Sequence, residues 1–207
     1  MADVGAGTGK LTRQLTGSGA DIVAVEPVAE MRAQFARVLP EMPILEGRAE
    51  ALPLPDASLD AIVAGQAWHW FDADAALQEA ARVLVSGGGL GLIWNDYDMS
   101  VLWVRELAQI RDRFAPPDRS SGWKEVFANH PNWTPLEDRA FSHEHQTTRD
   151  AVVDRVLSTS VIAALSPEER EAVRREVLDV LGRHEETRGR GELLVPYRTE
   201  VYWTFRR

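Results

Sequence analysis

The sequence has no cysteine among its 207 residues. Disulfides, thiolate nucleophiles and thiolate metal ligands are therefore excluded, and a reducing compartment is favoured. The sequence also lacks any apolar run close to the roughly 20 residues that a membrane-spanning helix needs, and no signal-type apolar segment stands at its start. These absences predict a soluble, cytoplasmic protein.

Positive charge is scarce as well. The chain carries 23 basic and 32 acidic residues, which gives a net charge of -9. Such a balance opposes broad binding to phosphate backbones or anionic membranes, so we expect neither nucleic acid nor membrane as a partner. The length fits one sizeable domain, and we predict a single domain over residues 1–207.

What the sequence does have is a glycine-rich turn near its beginning. Asp3-Val-Gly-Ala-Gly-Thr-Gly9 follows an apolar strand end and precedes an amphipathic run that starts at Leu11. Glycine has no Cβ and tolerates positive φ, so such a turn lets the backbone pass close to a ligand. The stretch predicts a cradle for a nucleotide-type cofactor.

The spacing of the glycines distinguishes between the known types of glycine-rich nucleotide-binding turn. A Walker loop fails twice, because Val4 stands where its first glycine belongs and Leu11 where its magnesium-binding hydroxyl belongs. A dinucleotide fingerprint begins at Gly5 and Gly7 but is not completed at Lys10. An NAD(P)-dependent oxidoreductase therefore stays as a weakened alternative, and no Tyr-x-x-x-Lys pair supports it.

Asp3 to Gly9 resembles motif I of the class I S-adenosylmethionine (SAM)-dependent methyltransferases at every fixed position. The resemblance implies that Asp3 holds the amino group of SAM and that the backbone of Gly5, Ala6, Gly7 and Gly9 lies along its amino-acid portion and ribose. It also implies S-adenosyl-L-homocysteine as product. The expected fold is α/β, a Rossmann-like three-layer sandwich with a seven-stranded, mostly parallel sheet and an antiparallel C-terminal strand.

Strands and helices alternate through the first half of the chain. Apolar runs predict strands, and stripes at helical spacing predict the helices between them. Asp72 is the expected N-cap of one helix, whose end is marked by Gly87–Gly89. The predicted strands are 1–4, 22–26, 43–46, 61–64 and 90–94.

Glu26 stands at the end of the second predicted strand. A carboxylate at this strand tip can accept hydrogen bonds from both hydroxyls of a ribose, in SAM sites and dinucleotide sites alike. Met31 follows on the next helix and is a candidate contact of the ligand. Packing in the core is the alternative for Met31, because it belongs to an apolar stripe.

The segment from Gly47 to Asp60 resembles the type-11 methyltransferase pattern. That resemblance implies that the adenine edge is recognised here. Arg48 occupies the position that often carries Asp or Asn, so recognition of the adenine amino group would fall to Glu50 or to the backbone of Ala49. A solvated loop is the alternative.

The run Gln66-Ala-Trp-His-Trp-Phe71 follows the fourth predicted strand. It is similar to a subgroup of small-molecule methyltransferases that includes the aconitate-type enzymes. Gln66 is a candidate contact of the cofactor. Gln66 and His69 are expected to face the reaction centre, where His69 orients or deprotonates the nucleophile, and Trp68 and Trp70 contact the substrate or the sulfonium. A hydrogen-bonded His69 and packed tryptophans are the alternative.

The second half of the chain is less patterned. We predict a helix from Val101 to Phe114 that ends at Pro116-Pro117, and a substrate lid over 118–136 in which Trp123 contacts the substrate or packs on the sheet. Two helices, 150–165 and 167–181, and a closing strand over 192–205 beside the strand at Phe141 complete the prediction. His143 and His145 have chelating spacing, but with no third ligand evident we predict no metal.

Residues 1–97 thus form the predicted cofactor-binding core, and residues 98–207 the lid helices and edge strands. Relatives of this pattern carry one or two further helices before motif I, which suggests either a gene start called too late or a shortened, impaired ligand-binding protein. The main prediction is a methyltransferase for a small-molecule acceptor. A neighbouring chain could close the uncovered cofactor cleft, so a homodimer is also expected.

Overall fold

The computed structural model of the chain describes residues 1–114, 122–128 and 130–207. Seven strands form one mixed sheet in the order β3-β2-β1-β4-β5-β7-β6, which confirms the predicted α/β, Rossmann-like class. The strands are β1 (Ala2–Val4), β2 (Val23–Val25), β3 (Ile44–Leu45), β4 (Leu59–Gly65), β5 (Leu84–Tyr97), β6 (Glu137–Thr148) and β7 (Glu192–Phe205).

Helices connect these strands. Three short 3-10 helices, Thr16–Ser18, Trp68–Trp70 and Trp123–Phe127, supplement the α-helices. The α-helices are α1 (Lys10–Leu15), α2 (Ala29–Val38), α3 (Ala73–Val83), α4 (Leu102–Asp112), α5 (Arg149–Leu157), α6 (Ser160–Ala163) and α7 (Pro167–Arg183).

β1 lies between β2 and β4 and pairs in parallel with both. Ala2 is in register with Val23 on one side and with Ile62 on the other. The chain therefore leaves β1 in one direction along the sheet and returns to its other side at β4. Ligands of open parallel sheets bind beyond the carboxyl ends of the strands at such a reversal, and the glycine-rich turn follows β1 at this point.

The chain divides into two compact units. Unit 1 comprises Met1–Trp94, the described part of Ser120–Arg139, and Glu200–Arg207. Unit 2 comprises the described part of Asn95–Arg119, and Ala140–Thr199. Each unit has a buried apolar cluster of its own, around β1, β4 and α3 in unit 1 and around α4, α5 and α7 in unit 2. The predicted single domain over 1–207 stays a prediction.

Helix starts follow the expected chemistry. Asp72 caps α3, because its Oδ1 accepts a hydrogen bond from the backbone N–H of Ala75 at 3.2 Å. Ser166 and Glu169 form a reciprocal capping box at the start of α7, where Pro167 takes the first turn. Both starts confirm the predictions.

Two predicted boundaries were wrong. β5 starts at Leu84, and Gly87–Gly89 lie inside the strand, where Gly87 N donates to Arg206 O and Arg206 N donates to Gly88 O. The predicted helix over 150–165 is broken after Leu157, because the hydroxyls of Ser158 and Thr159 donate to backbone carbonyls three residues earlier.

The remaining elements of the second half agree with prediction. α4 matches the helix predicted from Val101, while its predicted end at Pro116-Pro117 and the first residues of the predicted lid, 118–121, lie outside the described residues. β7 lies beside β6, as predicted. Within the described part of the chain, no helix is both long and apolar enough to cross a bilayer.

Candidate functional site

The glycine-rich turn is held against the end of β2. The backbone N–H groups of Gly5 and Ala6 both donate to Val25 O, at 2.9 and 3.2 Å. Gly5, Gly7 and Gly9 have φ of 71°, 56° and 85°, in the left-handed region that favours glycine. A residue with a Cβ at any of these three positions would strain the backbone, so the turn favours glycine there.

The three glycines differ in what surrounds them. A Cβ on Gly5 would lie 2.7 Å from Ala67 Cβ, and one on Gly9 would lie 2.9 Å from both Phe35 and Leu39. A Cβ on Gly7 would meet only the sulfur of Met31, at 3.9 Å. Gly5 and Gly9 thus pack against protein, whereas Gly7 faces open space where a ligand can approach the backbone.

Asp3 lies beneath the turn and is fully buried. Its Oδ2 accepts a hydrogen bond from Thr12 Oγ1 at 2.5 Å, and its Oδ1 has no hydrogen-bond partner among the described residues. Burial raises the pKa of Asp3 to about 6 despite the hydrogen bonds from Thr12, and the nearby Glu26 adds to the rise. A buried acceptor of this kind suits a cationic or hydrogen-bond-donating group of a ligand.

Glu26 connects the end of β2 to the turn. Its Oε2 accepts from Gly7 N at 2.9 Å, and its Oε1 accepts from Val28 N at 3.0 Å. The carboxylate is buried beside Gly7, the glycine of this turn that faces open space. Each oxygen keeps a second acceptor position, so both ribose hydroxyls of a nucleoside can still be bound.

Met31 lies on α2 at the rim of this open space. Met31 is 43% exposed, so it is not a core residue. Ala6, in contrast, is buried within the turn and contributes its backbone. The structure therefore brings the glycine turn, Glu26 and Met31 together, with Asp3 in the strand that leads into the turn. Contact of these residues with a cofactor stays a prediction.

Glu50 links the loops after β3 and β4. Its Oε1 accepts from Asp72 N at 2.8 Å, and its Oε2 lies 3.5 Å from Arg48 Nε. Ala49 beside it is buried, whereas the Arg48 side chain is largely exposed. The observed contacts of Glu50 fix loop geometry, and its contact with an adenine ring stays a prediction.

The turn after β4 carries the predicted reactive residues. Gln66 has φ of 55°, a strained value for a residue with a side chain, and its N–H donates to Ile93 O at 2.9 Å. His69 and Trp70 are both exposed, with ring centroids 5.0 Å apart, and Trp70 is 79% exposed. Contact of Gln66, His69 and Trp70 with a substrate stays a prediction.

Trp68 differs from its neighbours. It is only 3% exposed and packs against Phe71 and Phe127, with ring centroids 5.8 and 5.5 Å away. This is the packing of a core side chain, which was the alternative to substrate contact for Trp68. A contact between Trp68 and substrate stays a prediction.

Trp123 is half-buried in an aromatic cluster of unit 1. Its ring lies 4.6 Å from that of Trp94 and 5.0 Å from that of Tyr202. Lys124 Nζ lies 4.3 Å from the Tyr202 ring centroid and 3.1 Å from the Tyr202 hydroxyl. Aromatic packing was the alternative to substrate contact for Trp123. Substrate contact by Trp123 stays a prediction.

Two arginines that the sequence did not single out hold the loops of the site. Arg32 donates to the carbonyls of Glu26 and Pro27 at 3.0 and 2.7 Å and pairs with Glu46 at 2.6 Å. Arg82 donates to Leu52 O and Leu54 O and pairs with Glu79 and Asp56. In the sequence, Arg32 and Arg82 stand out only by their positions, in helices that each follow a loop of the site.

The described residues contain no group of three or more His, Asp or Glu side chains arranged to hold a metal ion. His143 stacks instead on Tyr197 in unit 2, with ring centroids 5.5 Å apart. His145 meets the same ring edge-on at 6.4 Å.

Known proteins resemble this chain in sequence. Residues 2–92 match the family model described as a methyltransferase domain. An uncharacterized methyltransferase of Mycobacterium tuberculosis is 39% identical over 199 residues, which cover 96% of this chain and 80% of the relative.

Solved structures share the fold. A candidate type II methyltransferase from Anaeromyxobacter dehalogenans has a TM-score of 0.67 at 23% identity and is aligned over 99% of this chain and 87% of its own. A phosphoethanolamine N-methyltransferase of Haemonchus contortus, solved with phosphomonomethylethanolamine and S-adenosylhomocysteine, has a TM-score of 0.56 at 14% identity, over 99% of this chain and 48% of its own. At these identities the likeness shows the fold alone.

Proposed function

Because the chain belongs to the class I SAM-dependent methyltransferase family, we propose that it transfers a methyl group from SAM to a small-molecule acceptor. The observation that carries the cofactor assignment is the open space at Gly7, whose N–H donates to the buried Glu26, on the turn that follows the buried Asp3. The Haemonchus contortus enzyme, which shares the fold, was solved with S-adenosylhomocysteine, and this motivates the choice of ligand for the test.

The residues around Gly7 fit the chemistry of SAM. Asp3 offers an unpaired buried oxygen suited to the ammonium of the amino-acid portion, and Glu26 keeps acceptor positions for the ribose hydroxyls. Met31 provides an exposed apolar wall beside Gly7. When bound, SAM supplies an electrophilic methyl group on its sulfonium.

The protein's own contribution is mainly alignment and exclusion of water. Transfer of a methyl group needs the nucleophile in line with the bond that breaks, and holding both reactants in this geometry can lower the barrier substantially. Gln66 and His69, on the turn after β4, are the side chains we assign to the acceptor. His69 would orient the nucleophile or accept its proton, and Trp70 would cover an apolar acceptor.

The cofactor assignment is tested by calorimetric titration of the protein with S-adenosylhomocysteine, with NAD as the control ligand. We expect saturable binding of S-adenosylhomocysteine and none of NAD. Binding of NAD alone would show that the dinucleotide alternative is right.

Two substitutions separate cofactor binding from chemistry. Glu26→Ala should abolish binding of S-adenosylhomocysteine, and Glu26→Gln, which keeps one acceptor oxygen, should weaken it less. His69→Ala should leave that binding intact and lower turnover in an assay that follows methyl transfer. An equal loss of affinity in the Glu26 and His69 variants would contradict the role assigned to His69.

A further inference from the structure

Unit 2 contains a cavity of about 120 Å³ that the proposed methyl transfer does not use. This volume is far above the roughly 10–15 Å³ that a single water needs. Its wall combines charged, aromatic and apolar side chains from β5, α4, α5 and β7. The lining residues are Asn95, Asp96, Tyr97, Leu107, Ala108, Arg111, Arg155, Val156, Thr159 and Tyr197.

Arg155 is the cationic residue of this wall that has no ion-pair partner among the described residues. Its guanidinium carbon lies 5.5 Å from the Tyr97 ring centroid and 5.2 Å from that of Tyr197. Within the described part of the chain it forms no ion pair, whereas Arg111 is paired with Asp112 at 2.7 Å. Stacking on aromatic rings fixes the plane of a guanidinium and leaves its N–H edge available for a carboxylate.

Asp96 is the corresponding free anion. It lies on β5, and its side chain makes neither a hydrogen bond nor an ion pair with any residue that the structure describes. Asp96 and Arg155 also do not pair with each other, although both line the same cavity. The wall therefore presents one uncompensated charge of each sign.

The rest of the wall limits the size and charge of an occupant. Leu107, Ala108 and Val156 are buried and apolar, so they favour a short aliphatic segment. Burial raises the pKa of the Tyr197 hydroxyl, which keeps it neutral at physiological pH. A dianion would face Asp96 with an unmatched charge, and a simple amine would leave Arg155 unmatched.

We infer that this cavity binds a small zwitterion, a molecule with one carboxylate and one amino group on a short aliphatic chain. Arg155 binds the carboxylate and Asp96 binds the ammonium. The inference concerns unit 2 alone and does not depend on the cofactor assigned to unit 1.

The test uses three probes of similar size and different charge. 4-Aminobutyrate carries both charges, pentanoate only the carboxylate and butylamine only the ammonium. Each is titrated into the isotope-labelled full-length protein and followed by NMR. We expect 4-aminobutyrate to bind most tightly and to shift the amide signals of Val156 and Thr159, which line the cavity.

Variants assign each half of the ligand. Arg155→Met should weaken binding of 4-aminobutyrate and pentanoate by about tenfold or more, as expected for the loss of a charge-assisted hydrogen bond. Asp96→Asn should weaken 4-aminobutyrate but leave pentanoate unchanged or improved. Arg105→Met and Asp154→Asn are matched controls on exposed positions outside the cavity wall, and neither should alter binding.

Three results would overturn the inference. These are no saturable shift with 4-aminobutyrate, equal affinity for 4-aminobutyrate and butylamine, or an unchanged affinity in Arg155→Met. Arg155 is exposed, so the variant is expected to fold, and an unchanged melting temperature verifies this. S-adenosylhomocysteine is also titrated into Arg155→Met. This second titration tests the cofactor site of unit 1, so a failure of the cofactor proposal can be distinguished from a failure of the zwitterion proposal.

Discussion

At the scale of single residues, Asp3 makes stability depend on pH. Its pKa is raised from 3.8 to about 6 by burial. Below pH 4 both the folded and unfolded chains hold this proton, and between pH 4 and 6 only the folded chain does. Ionisation then favours the unfolded chain, so the contribution of Asp3 to stability falls as pH rises through this window, by about 3 kcal/mol in total.

Replacing Asp3 by Asn isolates this effect. The free energy of unfolding, measured by urea titration at several pH values, should fall less steeply between pH 4 and 6 in Asp3→Asn than in the original protein. The many other carboxylates titrate in both proteins and cancel in the comparison. Parallel pH profiles would mean that the pKa of Asp3 is the same in the folded and unfolded chains.

Three alanine substitutions distinguish the roles of the glycines. Gly19 has φ of 78° and no atom within 4 Å of an added Cβ, so Gly19→Ala measures backbone strain alone, about 1 kcal/mol. Gly9→Ala should destabilise the protein well beyond this, because its Cβ meets Phe35 and Leu39. Gly7→Ala should match Gly19→Ala in stability.

The distinguishing property of Gly7→Ala is its effect on ligand binding. A methyl group at Gly7 would occupy the open space assigned to the cofactor, so affinity for S-adenosylhomocysteine should fall by about tenfold or more. Gly19→Ala should bind as well as the original protein. Calorimetry on both variants checks this, and undiminished affinity in Gly7→Ala would place the ligand elsewhere.

Individual residues also show where sequence reasoning succeeds. The proximity of Asp3, Gly7 and Glu26 was predictable, because β1 and β2 are parallel and their carboxyl ends meet at one edge of the sheet. Binding of a cofactor there stays a prediction. The packing of Trp68 was not predictable, because an aromatic residue after a strand fits a core and a pocket equally well. Only the surroundings of its ring, Phe71 and Phe127, decide between them.

At the scale of elements, Arg82 of α3 holds the loop that follows β3. It binds two carbonyls of that loop, at 3.0 and 3.1 Å, and its partner Glu79 accepts from Leu52 N at 2.7 Å. Hydrogen bonds to Glu79 and Asp56 raise the pKa of Arg82, and the hydrogen bond from Arg82 lowers the pKa of Glu79. The loop therefore depends on a helix that is distant in sequence.

Arg82→Met should release this loop. We expect a loss of stability on the order of 2 kcal/mol, as for removal of several hydrogen bonds to a charged group, and faster amide exchange at Leu52. Arg37→Met, on the exposed part of α2, is the matched control and should be close to neutral. Unaltered exchange at Leu52 would show that the loop is held by other contacts.

Element boundaries were predicted where local chemistry decides them. Asp72 and Ser166 cap their helices through their own side chains, so sequence suffices. Gly87–Gly89 look like a helix terminator, yet pairing with Arg206, far away in sequence, makes them part of β5. Long-range pairing of this kind leaves no local signal, and for the same reason the role of Arg82, whose carbonyl partners lie 28 and 30 residues away, was missed.

At the scale of the whole molecule, the α/β class was predictable because alternating strands and helices indicate a mostly parallel sheet covered by helices. The division into two units was not, since strands β5, β6 and β7 each contribute residues to both. The site residues assigned to the cofactor all belong to unit 1, and the cavity assigned to a zwitterion belongs to unit 2.

Hydrogen exchange of the whole chain can therefore locate the two ligands separately. S-adenosylhomocysteine should slow exchange at the amides of the glycine turn and of residues 26–31, because a ligand that binds the folded site raises the free energy of opening there. The amides of α5 next to Arg155 should respond to 4-aminobutyrate instead. If S-adenosylhomocysteine protected α5 and left the glycine turn unchanged, the cofactor would bind in unit 2, and the assignment of Gly7, Asp3 and Glu26 would be wrong.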